Sequence, residues 1–252
     1  MIATIKHKNE AFQIDLSKPL DISIPIDMSK PNINAWYLED PQIKPVKSNN
    51  WTGNVAQGGP VNFNNIVFNP HAHITHTECV GHITEKIHSI NKNLSCYFFI
   101  TELITVEPQK QKNGDFVITK KLIKESIKDT NIEALVIRTI PNSNKKTFAR
   151  YSNTNPPYLS LEAAEYIKNI SIKHLLIDLP SVDKERDNGE LLAHNAFWNT
   201  QKNIRFDATI TEFIYVSNTI KDGIYVLNLM VAPFENDATP SKPILYKIQQ
   251  VN

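Results

Sequence analysis

A chain of 252 residues, 41% of them apolar, is long enough to bury a core that keeps water away from an internal site. Its 27 basic and 26 acidic residues leave a formal charge of +1 and form no long run of either sign, which argues against a nucleic-acid partner. No apolar stretch approaches the length of a membrane span, the start MIATIKHKNEAFQIDLSK lacks the apolar segment of a signal peptide, and two cysteines are too few for a disulfide framework; a soluble, cytoplasmic protein without a membrane partner is expected.

From Pro19 to Pro70 the sequence is rich in Pro, Asn and Ser and offers only short β-like runs such as LDISIPI, so irregular strands and loops are expected there. CYFFITELITVE and FVITKK read as strands and KKLIKESIKDT as a short amphipathic helix. IEALVIRTI, an apolar run with no polar face, predicts a strand covered on both sides. LSLEAAEYIKNI follows as a helix with Ser160 as its candidate N-cap and leads into KHLLIDL, a second buried strand. The last third, DATITEFIYVSNT, KDGIYVLNLMVAPF and PILYKIQQV, is strand-dominated, with Asp222-Gly223 as turn punctuation between two of the runs. No internal repeat or interdomain linker interrupts this pattern, which predicts one domain over residues 1–252, of the α/β class, rich in strand and poor in helix.

The stretch HAHITHTECVGH, from His71 to His82, gathers four of the chain's eight histidines with a carboxylate and Cys79. Imidazoles so close oppose one another's protonation, and a bound cation is the simplest reason to hold them together. Zinc and manganese favour neutral imidazole with carboxylate. Residues two apart on a strand point the same way, so His76 and Glu78 converge on one point. His82 lies past Gly81, where the chain can turn back over a metal. His71 and His73 have the wrong parity to share that face unless a bulge intervenes, and spacing alone leaves the choice between them open. So few ligands leave a divalent ion incompletely held. His194, after an apolar lead-in in ELLAHNAFW, and Glu212, a carboxylate among β-branched and aromatic residues in DATITEFIYV, are the distant candidates. The competing readings are a solvated histidine loop, a structural His194, and a Glu212 that faces outward from an edge strand.

These residues resemble the cyclase-like metal hydrolases, the family that includes bacterial kynurenine formamidase and isatin hydrolase. The family signature reads His-x-Gly-Thr-His-x-Asp-x-Pro-x-His, and THTECVGH matches its second half through Thr75, His76, Glu78 and His82. DLSKPLDISIPI resembles the family's opening segment. YSNTNPPYLSLEAAEYIKNISIKHLLIDLPSVD resembles its central helix, strand and Asp-x-x-Ser-x-Asp turn, and TITEFIYV with LMVAPFENDATPSKPILY resembles its closing strands. The resemblance implies a strand-rich swivelling β/β/α fold that binds one or two divalent ions, Zn or Mn. It implies His76 and Glu78 as ligands, Glu78 bridging two ions, His194 and Glu212 completing the second site, and His82 as the catalytic histidine. It also implies a homodimer or larger homo-oligomer. A family variant of the form His-x-Asn-Gly-Thr-His-Thr-Glu selects His71 over His73 as the first ligand. In this chain Glu78 replaces Asp, Val80 replaces Pro, and Ile74 stands where the signature has Gly. A β-branched residue resists positive φ, which weighs against a bulge at Ile74.

The expected activity is hydrolysis of an amide or ester in a small cyclic or aromatic molecule, similar to an arylformamidase or a hydrolase of lactones or cyclic amides. Metal would activate the water and His82 would move the proton. Trp36, Tyr37 and Trp198 are the aromatic candidates for substrate contact. The rival expectation is a non-catalytic metal- or small-ligand-binding protein on the same scaffold, motivated by the altered signature. A Cys79 nucleophile beside a histidine is the third.

Overall fold

In the computed structural model, which describes residues 1–8 and 10–250, the chain enters through a hairpin of β1 (Ile2–His7) and β2 (Glu10–Asp15). A single helical turn, α1 (Pro70–His73), precedes the short strand β3 (His76–Glu78). Then come β4 (Phe98–Val106), α2 (Lys120–Ser126), β5 (Ala134–Thr139), α3 (Leu161–Asn169) and β6 (His174–Ile177). The chain ends with α4 (Leu192–Trp198), β7 (Thr209–Glu212), β8 (Gly223–Val231) and β9 (Ala238–Gln250).

Seven strands hydrogen-bond in the cyclic order β9-β8-β4-β5-β6-β7-β3 and back to β9, so the sheet closes on itself. β4 through β7 are parallel, whereas β3, β8 and β9 run antiparallel to their neighbours. The hairpin of β1 and β2 extends the sheet from the C-terminal end of β9. This strand-rich α/β fold with few helices agrees with the expectation from the sequence.

The buried runs form strands because each serves two cores. All six residues of β5 are buried. Leu135 and Ile137 pack with Ala163, Ala164 and Ile167 of α3 and Phe197 of α4, while the alternate Ala134 and Val136 pack inside the ring with Leu103, Leu176 and Leu227. The period of two therefore remains, hidden because both faces are apolar. α3 buries residues three and four apart against the sheet, and Ser160 caps it as expected, its hydroxyl accepting from the Ala163 N–H at 3.2 Å.

Residues between β2 and α1 are mostly irregular apart from small paired segments such as Gln42–Pro45 against Asn64–Val67, as the Pro- and Asn-rich composition predicts. Two expectations fail locally. DATITEFIYVSNT does not form one strand: β7 stops at Glu212, because Phe213 takes a φ of +55°, a strained conformation for a bulky residue that ends the ladder. β9 begins at Ala238, five residues before the expected Pro243 start. No helix among the described residues is long and apolar enough to cross a membrane.

Leu176 is fully buried inside the ring. Leu176→Ala should lower unfolding stability by about 2–5 kcal/mol in chemical denaturation, as in other close-packed cores. A loss below about 1 kcal/mol would show a loosely filled interior.

Candidate metal centre

β3 is the strand that closes the ring, with His76 opposite Glu212 of β7 and Pro240 of β9, and Glu78 opposite Ile210 and Ala238. Alternation turns the intervening Thr77 away, its hydroxyl 2.8 Å from that of Thr211. His76 and Glu78 thus face one way, and both are 0% exposed. The same register brings Glu212 Oε2 to 3.5 Å from His76 Nε2. Glu212 is buried, not facing outward from an edge.

The first histidine arrives by a device other than a bulge. Asn69 caps α1, its side chain accepting from the His71 N–H at 2.9 Å, and Pro70 occupies the first helical position, where its missing N–H costs nothing. This single turn lifts His71 over β3 and sets its Nδ1 3.2 Å from Glu78 Oε2. Ile74 is extended, with φ −156° and ψ 157°, so its β-branch is accommodated without strain. His73 points elsewhere, its Nδ1 accepting from the Asn69 N–H at 2.9 Å. The structure therefore gathers His71 and leaves His73 out.

Gly81 permits the turn that follows: a Cβ there would lie 2.2 Å from the His88 carbonyl oxygen. That turn leaves His82 exposed, with Nε2 3.8 Å from Glu78 Oε2. His194 comes from α4, a helix that the sequence reading did not anticipate. The Asp183 carboxylate receives the N–H groups of Ala193 at 2.6 Å and His194 at 3.1 Å, and also the His194 ring at Nδ1, 2.6 Å away. This points His194 Nε2 at Glu78 Oε1, 3.1 Å distant, with Glu212 Oε1 at 3.9 Å.

The four rings share one pattern. The outer nitrogen of each meets a protein acceptor: His71 Nε2 lies 2.9 Å and His82 Nδ1 3.2 Å from Asp237 Oδ2, His76 Nδ1 lies 3.1 Å from the Ile74 carbonyl, and His194 Nδ1 meets Asp183. The inner nitrogens face Glu78 and Glu212. Yet His76 Nε2 and Glu78 Oε2 are buried without any hydrogen-bond partner. Orphaned groups of this kind cost about 1–3 kcal/mol each. The unpartnered His76 Nε2 and Glu78 Oε2, with His71 and His194 beside them and the carboxylates Asp183, Glu212 and Asp237 at close range, fit a divalent metal.

In the metal-free cluster, protons take the place of a cation. Burial works against charging His71, but its pairing with Asp237 and Glu78 prevails and raises it to about 10. His194 is likewise raised well above an ordinary imidazole, burial being outweighed by Asp183 and Glu78. For Glu78, burial favours the neutral acid, and the charge of His82 together with its pairing to His194 and His71 holds it well below the usual carboxylate range.

A cavity of about 300 Å³ opens onto this cluster, with His71, His82, His194 and Glu212 in its lining. Trp36, Leu38 and Leu191 form an apolar wall, and Ser181 and Lys184 face it with polar groups. Two residues of the wall are strained, Trp36 and Leu191 holding φ of +61° and +46°, and Tyr37, next to Trp36 in the chain, holds +60°. Trp36 also donates its indole N–H to the His71 carbonyl at 2.9 Å, tying the wall to α1. Tyr37 does not line the cavity; its hydroxyl donates to Glu185 Oε1 at 2.6 Å, and Glu185 does line it. Trp198 departs from its expected place altogether. It is fully buried, donates to the Ala208 carbonyl at 2.9 Å and packs behind His194 with ring centres 5.3 Å apart, a core position that an aromatic residue fills as readily as a pocket. Cys79 is also buried; its thiol donates to the His88 carbonyl at 3.3 Å, and burial pushes it up to about 11, which argues against a nucleophile. A larger, shallower cavity of about 1,050 Å³, lined by residues such as Lys120, Lys124 and Tyr158, contains none of the clustered ligands.

Sequence reasoning missed Asp183 and Asp237. Asp183 carried a signal, since it closes the Asp-x-x-Ser-x-Asp turn after a buried strand. Asp237 sits in ENDATP, whose local composition reads only as a turn.

Comparison with known proteins extends the picture. The family model described as "Cyclase: Putative cyclase" matches residues 14–184. No curated protein matches the chain. Among solved structures, the fold is similar to an isatin hydrolase bound to the product analogue thioisatinate, at 16% identity over 92% of this chain and 93% of that one, with a TM-score of 0.64. It is also similar to a "potential metal-dependent hydrolase with cyclase activity", at 16% identity over 91% and 97% of the two chains and a TM-score of 0.63. A "predicted metal-dependent hydrolase from Bacillus stearothermophilus" is similar at 16% identity over 91% and 98%, with a TM-score of 0.61. At these identities the likeness is one of fold.

The cluster's titration makes a directional prediction. His71 is charged more readily folded, at about 10, than at its ordinary 6.5, so its contribution to stability is complete below the lower value and is lost as pH climbs toward the upper one. Thermal melting in chelator should therefore show this contribution declining above about pH 6.5, and saturating Zn²⁺ should remove the decline by displacing those protons. Uptake of Zn²⁺ near neutral pH should release protons, measured by calorimetry in buffers of different ionisation enthalpy. Metal uptake without proton release would contradict this account.

Proposed function

The chain belongs to the cyclase family, and from that membership we propose that it is a metal-dependent hydrolase that cleaves an amide or ester bond of a small molecule, such as an arylformamide, a lactone or a cyclic amide. The observation that carries this reading is the pair of buried atoms without hydrogen-bond partners, His76 Nε2 and Glu78 Oε2, beside a cavity lined by His71, His82, His194 and Glu212. Similarity of fold to isatin hydrolase and to proteins described as metal-dependent hydrolases supports it.

His71, His76 and Glu78 would hold one ion, Zn or Mn, and His194 and Glu212, with Nε2 and Oε1 3.9 Å apart, would complete a second site beside Glu78. When bound, a divalent ion supplies the Lewis acidity that polarises a carbonyl and makes water nucleophilic near neutral pH. The remaining work falls to the protein's own residues. His82 accepts the proton of the attacking water at Nε2 and returns it to the departing nitrogen or oxygen; it is exposed to the cavity, and Asp237 already engages its Nδ1. Trp36, Leu38 and Leu191 offer a flat apolar face to a ring, while Ser181 and Lys184 orient polar substituents. A cavity of about 300 Å³ stands at the small end of ligand sites, which favours a one- or two-ring substrate.

Hydrolysis of N-formyl aromatic amines and small lactones should disappear in chelator and return with Zn²⁺ or Mn²⁺. His82→Ala should lower kcat by about 10²–10⁴ while metal content stays unchanged. Activity indifferent to chelation would contradict the reading, and metal-loaded protein that turns over none of these substrates would reduce it to metal binding alone.

A further inference from the structure

We propose that Asp237 is a positioning residue that fixes the ring orientation and tautomer of two histidines at once, His71 and His82, through a single carboxylate oxygen. The part of this inference that concerns His82 rests on the hydrolase reading above; the part that concerns His71 rests on the metal cluster alone. Asp237 Oδ2 lies 2.9 Å from His71 Nε2 and 3.2 Å from His82 Nδ1. The two rings stack with centres 4.2 Å apart and planes 27° from parallel, and one nitrogen of each meets the same oxygen.

The nitrogens chosen are what make this arrangement informative. An imidazole that donates through Nε2 keeps its lone pair on Nδ1, and at His71 that atom faces Glu78 Oε2 from 3.2 Å. An imidazole that donates through Nδ1 keeps its lone pair on Nε2, and at His82 that atom faces the same oxygen from 3.8 Å. Once metal displaces the additional protons, one acceptor thus imposes opposite tautomers on two neighbouring rings, and each lone pair turns inward. With the protons on the other nitrogens, His71 could not ligate and His82 could not accept a proton from the cluster side.

The carboxylate is also held in place for this task. The Asp237 carbonyl accepts from the Cys79 N–H at 3.0 Å, and the following Ala238 opens β9 directly opposite Glu78. The Asn236 carbonyl takes the Ile90 N–H at 2.9 Å, and the Asn236 side chain donates to the Ala238 carbonyl at 2.9 Å. Asp237 is therefore tied to the strand that carries His76 and Glu78, so the acceptor moves with the ligands it orients.

The test uses the full chain loaded with Zn²⁺, which is diamagnetic, and the near-isosteric Asp237→Asn. Long-range ¹H–¹⁵N spectra of the imidazoles report each tautomer, chelator competition reports Zn²⁺ affinity, and kcat and KM are followed with whichever substrate the wild type hydrolyses. The wild type should carry its proton on Nε2 at His71 and on Nδ1 at His82. Asp237→Asn should mix these tautomers, weaken Zn²⁺ by about 10–100-fold at unchanged stoichiometry, and lower kcat by a similar factor with KM little altered. Loss of a whole equivalent of Zn²⁺ would make Asp237 a ligand and overturn the proposal, as would a variant equal to wild type in tautomers, affinity and kcat. If Asp237→Asn does not fold, the wild-type spectrum decides: the opposite tautomer at either ring overturns the inference. Wild-type protein that binds Zn²⁺ but hydrolyses nothing counts against the hydrolase reading, and the tautomer and affinity measurements then still decide the role at His71.

Discussion

A carboxylate with no access to water must meet positive charge or become neutral, and Glu78 imposes that requirement on the rest of the molecule. Around it the chain collects His71, His76, His82 and His194, while Glu212, Asp183 and Asp237 add further negative charge at close range. Four neutral imidazoles cannot balance four carboxylates. Either the rings take up protons or a cation enters, and the strongly shifted histidines describe the first state just as the orphaned donors describe the second. A charge that either protons or a cation must balance is the physical core of the site.

The fold supplies the rigidity this competition needs. The three-residue strand that carries His76 and Glu78 also closes the ring of seven strands, so these side chains sit where both neighbouring strands hold the backbone. Each distant member of the cluster is fixed by register or by a helix start: Glu212 by standing opposite His76, His194 by the Asp183 carboxylate under its helix. Strained backbone appears at Trp36 and Leu191 in the cavity wall and at Phe213 beside Glu212. Such conformations persist only where the surroundings over-determine them, which is the condition of a preorganised site.

Much of this was legible in the chain, and the parts that were not share a cause. His76 and Glu78 could be paired because strand parity is a local rule. Glu212 and His194 stood out because a carboxylate in an apolar strand and the family resemblance pointed the same way. His71 could not be chosen over His73 by strand parity because the intervening element is a helical turn; the cue for it, Asn69-Pro70 as cap and first position, lay just outside the histidine motif. Trp198 was misplaced because composition does not separate a core aromatic from a pocket one. Asp237 was invisible because its partners lie 155 and 166 residues away, and only closure of the ring brings them together.

The central claim is that these side chains form a cage for a divalent cation, and anomalous diffraction from crystals grown with Zn²⁺ or Mn²⁺ tests it most directly. The account predicts a peak within about 2.0–2.3 Å of both His76 Nε2 and a Glu78 oxygen, distances proper to such ligands. Crystals that bind the metal elsewhere, or show no peak among these residues at saturating metal, would contradict it.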